Sequence, residues 1–165
     1  MKRAFAAIGI AIFAASASAQ SAPSTADFVK TVAISDMFEI ESSKLALEKK
    51  IAADHAFAQR MVHDHTQTTE QLKHLVGGGK VKAQLPAELD DEHKQMLDKL
   101  RGESGGDFSK DYNQMQLAGH KEAVALFEAY AKTGDNAALK SWAAKTLPHL
   151  QEHLAMAEAL KSSIF

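Results

Sequence analysis

Four long segments with a three-and-four-residue apolar period fill most of this chain, and each carries an ionisable side chain near its midpoint, on or beside the apolar stripe. That period restricts the fold to helices packed on helices, because no run alternates apolar and polar residues as a half-buried strand must. Only three prolines interrupt it. The segments read as 27–50, 54–76, 108–132 and 136–162. Ala52 and Ala53 make a tight link between the first two, Gly77-Gly78-Gly79 stops the second, and Thr133-Gly134-Asp135 joins the last two.

Between these pairs the chain crosses over from Lys80 to Gly106, bending at Leu85-Pro86. A shorter amphipathic helix over 88–100 has Leu89, Met96, Leu97 and Leu100 on its apolar edge. Ser104-Gly105-Gly106-Asp107 then supplies a break and a helix N-cap. Two close hairpins joined by one long crossover predict an all-α fold, a ferritin-like four-helix bundle with a short extra helix in the crossover connection.

Residues 1–19 read as a secretory signal: Lys2 and Arg3, the apolar run Ala4 to Ala15, and the small-residue site Ala17-Ser18-Ala19. Cleavage leaves Gln20 as the new N-terminus of an exported, periplasmic chain. A flexible lead over 20–26 precedes the bundle domain at 27–163. The leader is too short to span a bilayer, and no later segment approaches about 20 continuous apolar residues, so no stable membrane anchor is expected after cleavage.

Loss of the leader takes Lys plus Arg from 19 to 17 against 21 Asp plus Glu, a formal net charge of −4. With no basic stripe and no interleaving of basic and aromatic residues, nucleic acid is not an expected partner. The absence of cysteine excludes disulfides, thiolate catalysis and cysteine-ligated clusters. Any metal has to be held by His, Asp, Glu or Met.

The midpoint residues make such a site plausible chemistry. At about 100° per residue, Glu39 falls with Phe28, Val32 and Ser43, while Glu41 points nearly the opposite way. His65 lies four residues beyond Met61 and seven before Leu72, with Asp64 beside it as a ligand or as an outer carboxylate for another helix's imidazole. His120 stands among Leu117, Val124 and Phe127. In the last segment His153 shares a side with Trp142 and Leu160, His149 is nearer the edge, and Pro148 beside it either kinks the helix or begins a new one. His63 and His74 lie off the apolar face. Counted from the two hairpin turns, Glu39, His65, His120, His149 and His153 reach similar levels in antiparallel pairs, so one ligand per helix can meet in the core.

Two local patterns carry less. His149-Leu150-Gln151-Glu152-His153 matches H-x-x-E-H of inverted zinc peptidases, but Glu152 points away from the apolar stripe and the strand-rich setting of those enzymes is missing. Met37, Met61, Met96, Met115 and Met156 suit copper(I) together with imidazole, and methionine is far commoner as core packing.

The stretches Met37-Phe38-Glu39-Ile40-Glu41, Phe57 to His65, Gly119-His120-Lys121-Glu122-Ala123-Val124 and Thr146 to Leu154, with Asp107-Phe108 opening the third segment, resemble a family of exported bacterial ferritin-like proteins known as a domain of unknown function. The resemblance implies a periplasmic four-helix domain and maps the family's recurring polar positions onto Glu39, Asp64, His65, His120 and His153. Ferritin-like di-iron proteins use Glu and Glu-x-x-His ligands, whereas Val62 precedes His65 and Leu150 precedes His153 by three. A His-rich mononuclear site or no metal fits this chain better than a di-iron centre.

These readings converge on a transition metal ion (zinc, iron or copper) held by Glu39, His65, His120 and His153 with Asp64 and His149 in support, in a metal-binding or stress-protective role. Two others fit the same pattern: a metal-free structural or interaction module whose buried polar network fixes helix register, and a redox enzyme using iron or copper at the same site.

Overall fold

The computed structural model describes residues 22–162. Over that range the chain is all-helical, with α1 (Thr25–Glu48), α2 (His55–Gly77), α3 (Asp91–Gly102), α4 (Gly105–Thr133) and α5 (Ala137–Ser162), and no strand among the described residues. The leader assigned to 1–19, with its cleavage point, lies outside them. No helix of the described chain is long and apolar enough to cross a membrane.

Five helices stand where the periodicity puts them, their ends differing by at most three residues, and capping side chains set the starts of α1, α3 and α5. Ser24 Oγ accepts from the Asp27 backbone N–H at 3.2 Å, so α1 begins at Thr25. Asp90 does the same for His93 at 3.0 Å, and Asn136 for Leu139 at 3.0 Å. Asp27, Asp91 and Glu92 then lie in first turns, where a carboxylate faces the positive end of the helix dipole. α2 closes on Gly78, with Gly79 at φ 73°, a left-handed conformation that glycine adopts without a Cβ clash. Part of the segment read as a lead is packed: Thr25 Oγ1 meets Tyr130 Oη at 2.7 Å, and Ala22 N–H donates to Thr133 Oγ1 at 3.3 Å.

Cross-helix pairs fix the directions. Thr25 meets Tyr130 at one end and Ser43 meets Tyr112 further along, so α1 and α4 run antiparallel. Asp64 with His153 and Gln71 with Trp142 make α2 and α5 antiparallel as well. α2 and α4 therefore run the same way, and the crossover returns the chain along the length of the molecule. α3 rides on α1 and α4.

The apolar core is divided in two. One cluster holds Phe28, Val32, Leu72, Phe127, Tyr130, Leu139, Trp142 and Leu150. The other holds Phe38, Phe57, Met61, Leu100, Phe108, Tyr112, Leu117 and Ala157. On every long helix the boundary between them is a polar residue: Asp36 and Glu39 on α1, His65 on α2, His120 on α4, His153 on α5. Full burial of a large apolar side chain contributes about 1.5–3 kcal/mol, so the two clusters provide ample stabilisation to hold a polar layer between them.

Candidate metal centre

Three helices bring His65, His120 and His153 together, with residue exposures of 3, 1 and 2 %. Each lands inward because it takes a stripe position: His65 follows Met61 by one turn, His120 follows Leu117, and His153 follows Leu150. Their ring centroids form a nearly equilateral triangle with sides of 5.6, 5.5 and 5.4 Å. One nitrogen from each ring lies within 4.8 Å of the other two, and no other group of three or more such donors occurs among the described residues.

The remaining nitrogen of each ring is held from outside. His120 Nδ1 donates to the Gln116 carbonyl at 2.8 Å. His65 Nδ1 pairs with Asp36 Oδ1 at 2.8 Å, and His153 Nε2 with Asp64 Oδ2 at 2.9 Å. A carbonyl only accepts, so the His120 proton sits on Nδ1 and its Nε2 presents a lone pair. Asp64, held ionised, imposes the same logic on His153, and Asp36 imposes it on His65 when its carboxyl is charged. The inner nitrogens, His65 Nε2, His120 Nε2 and His153 Nδ1, have no hydrogen-bond partner. A carboxylate or carbonyl behind each imidazole is the arrangement that orients metal-binding histidines and raises their basicity.

Burial keeps His65 and His153 neutral. Burial pushes His65 down to about 4, against the pull of Glu39 and Asp64, and His120 pushes the same way as burial. Burial likewise takes His153 to about 4, against the Asp64 hydrogen bond, with His65 and His120 adding to the fall. Asp64 is partly desolvated, yet the donors Arg60, His63 and His153 outweigh that and hold its carboxyl well below the usual range. Burial pushes Asp36 well up, opposed by the Thr69 hydroxyl. Neutral imidazoles are the form that binds a metal.

The other residues singled out from the sequence take distinct places. Glu39 is buried, and its Oε1 lies 4.0 Å from His120 Nδ1, the outer face of that ring, so it adjoins the triad without entering it. Glu41 is at the surface, paired with Lys44 at 2.9 Å. Asp64 stands behind His153, bonded to exposed His63 and Arg60. His149 and Glu152 are exposed, which separates the H-x-x-E-H pattern from the cluster. Pro148 lies inside α5, and Met61 is packed in the apolar core. Sequence reasoning missed Asp36, although its place between Val32 and Glu39 on the inward stripe of α1 was a readable signal.

A tetrahedral ion with bonds of about 2.0–2.1 Å to nitrogen needs donors about 3.4 Å apart. The three ring nitrogens lie within 4.8 Å of one another, the scale of such a site. Three convergent ring nitrogens, no carboxylate within the cluster, and two outer carboxylates fit one divalent transition ion with a remaining coordination position.

The structure thus defines an all-helical protein with a buried, outwardly buttressed trihistidine cluster. Its sequence matches the family described as Domain of unknown function (DUF4142) over residues 12–160, and the chain belongs to that family. No curated protein and no solved structure gives a significant match.

Proposed function

We propose that this chain is an exported, periplasmic, ferritin-like four-helix bundle that holds one transition metal ion at His65, His120 and His153, in a metal-binding or stress-protective role. The full-length crossover between two antiparallel hairpins supports the ferritin-like connection. The single observation that carries the metal reading is the set of three unpartnered inner nitrogens, each opposite a nitrogen fixed by Asp36, Gln116 or Asp64. A network that served only packing would pair its members, because each buried unsatisfied group costs about 1–3 kcal/mol. The lack of a Glu-x-x-His pair favours a mononuclear site over a di-iron one.

The test is metal analysis of untagged protein recovered from the periplasmic fraction, with native mass spectrometry for stoichiometry. One zinc, iron or copper ion per chain is expected, on a mature chain whose intact mass begins at Gln20. Protein that carries no metal and gains no thermal stability from any of the three would leave the fold and remove the function.

A further inference from the structure

A second line of buried polar groups runs away from the triad, inside the apolar cluster formed by Phe38, Ala46, Phe57, Met61 and Leu117. On α4 it occupies Ser109, Asn113 and Gln116, at spacings of four and three that continue to His120 and so share one face. From α1 come Glu39, Ser42 and Ser43, and from the start of α2 comes Asp54. Gln116 Nε2 donates to Ser42 Oγ at 3.2 Å, Ser43 Oγ meets Tyr112 Oη at 2.8 Å, and Asn113 Nδ2 donates to Asp54 Oδ1 at 3.1 Å.

Four oxygens along this line have no donor: Glu39 Oε2, Gln116 Oε1, Asn113 Oδ1 and Asp54 Oδ2. Their residues are at most 2 % exposed. Asp54 adds an independent sign. It precedes α2 at the position where an aspartate normally caps the first turn, yet its side chain makes no cap bond and turns inward to Asn113. A helix forgoes its cap for little gain if the inward oxygens stay dry. Asp54 is flanked by exposed Ala53 and His55, so the line ends one residue from solvent.

We propose that this line is a hydrated conduit: a file of ordered water molecules that donates to these four oxygens and connects the α1–α2 turn at Asp54 with Glu39 and His120, so that the buried centre exchanges water and protons with solvent. Buried waters occur at roughly one per 27 residues and typically sit on polar groups left unsatisfied by the chain. Such a route brings water to the outer side of the His120 ring, next to the triad, where it can carry protons between the buried network and solvent. It does not depend on the triad holding a metal.

The experiment is NMR measurement of water exchange at the Asn113 and Gln116 carboxamide protons in the metal-free mature chain. Exchange at least 100-fold faster than that of the backbone amides of Tyr112 and Leu117 is expected, and equally slow exchange overturns the conduit. Asn113→Leu should slow Gln116 exchange at least tenfold by closing the route on the turn side, and an unchanged Gln116 rate also overturns it. If that variant fails to fold, Ser109→Val is measured against the same two outcomes. Arg60→Ala, at the Asp64 surface, should leave Gln116 exchange unchanged. Acceleration there would place the water route on the other side and refute the proposal.

Discussion

Acid should unfold the metal-free protein in a window set by the buried histidines. Unfolded imidazoles titrate near 6.5, while burial holds His65 and His153 at about 4 in the folded chain. Between those values the unfolded chain takes up protons that the folded chain refuses, so stability falls as pH falls from about 6.5 and these groups cost nothing more below about 4. One pKa unit corresponds to about 1.4 kcal/mol, which makes the loss about 2 kcal/mol for His65 by pH 5 and about 3 kcal/mol by pH 4. His153, backed by partly exposed Asp64, contributes a smaller share in the same direction. Asp36, pushed upward by burial, works the opposite way above about 3.8 and trims the total. Asp64, held low, adds its loss only below about 3.8.

Domain stabilities run to about 5–15 kcal/mol, so the His65 contribution alone, about 2 kcal/mol by pH 5, is a large fraction and easily measured. Urea unfolding at pH 7, 6, 5 and 4 gives the curve. The double variant His65→Gln/His153→Gln should flatten it between pH 7 and 5. Stability constant within about 1 kcal/mol over that range in the parent protein, or an identical decline in the double variant, would refute the assignment of the loss to these two rings.

Metal occupancy should be lost in His65→Ala and His120→Ala and kept in His149→Ala and His74→Ala, because the second pair is exposed away from the cluster; elemental analysis of the four proteins decides. Asp64→Asn should weaken metal affinity about 10–100-fold by removing the charge behind His153, read by competition with a chelator. Asp36→Asn should weaken affinity by a similar factor, since an amide that donates to His65 Nδ1 moves the ring proton onto Nε2, yet it should leave metal-free stability equal or higher because a costly buried carboxylate is gone; urea melts and chelator competition together test the opposed signs. In Gly119→Ala the new Cβ would lie 3.2 Å from Glu39 Oε1, so a displaced Glu39 should change metal affinity only if that carboxylate completes the site.

Helix existence was legible because each long segment repeats its apolar residues at three and four, a pattern that packing enforces along the whole helix. Helix ends were less so. The residues that set them, Ser24, Asp90 and Asn136, act through one hydrogen bond each and look like ordinary loop residues until that bond is seen. The three histidines could be placed because each replaces an apolar residue in a stripe. His149 shows the limit of the same reasoning: 40° round the helix from His153, it is close enough to suggest the core and far enough to face solvent. Asp36 and the Asn113–Gln116 line were hidden for another reason. Short polar residues on an inward face read as interruptions, and only the partner across the helix interface turns them into a network.

Charge balance links the triad to its surroundings. Three neutral imidazoles leave the two positive charges of a divalent ion uncompensated at a depth where an isolated charge is costly. Asp36 and Asp64 stand one hydrogen bond behind two of the rings, and because Asp64 is already paired with Arg60, Asp36 is the buried acid whose charge an ion would offset. Without an ion, Asp36 is a buried carboxylate facing a neutral ring, which is why burial drives it upward. With one, the ion's charge would offset the desolvation cost of that carboxylate. Under the metal reading proposed above, an ion at this level would offset the burial cost of Asp36, and that is the physical argument for it.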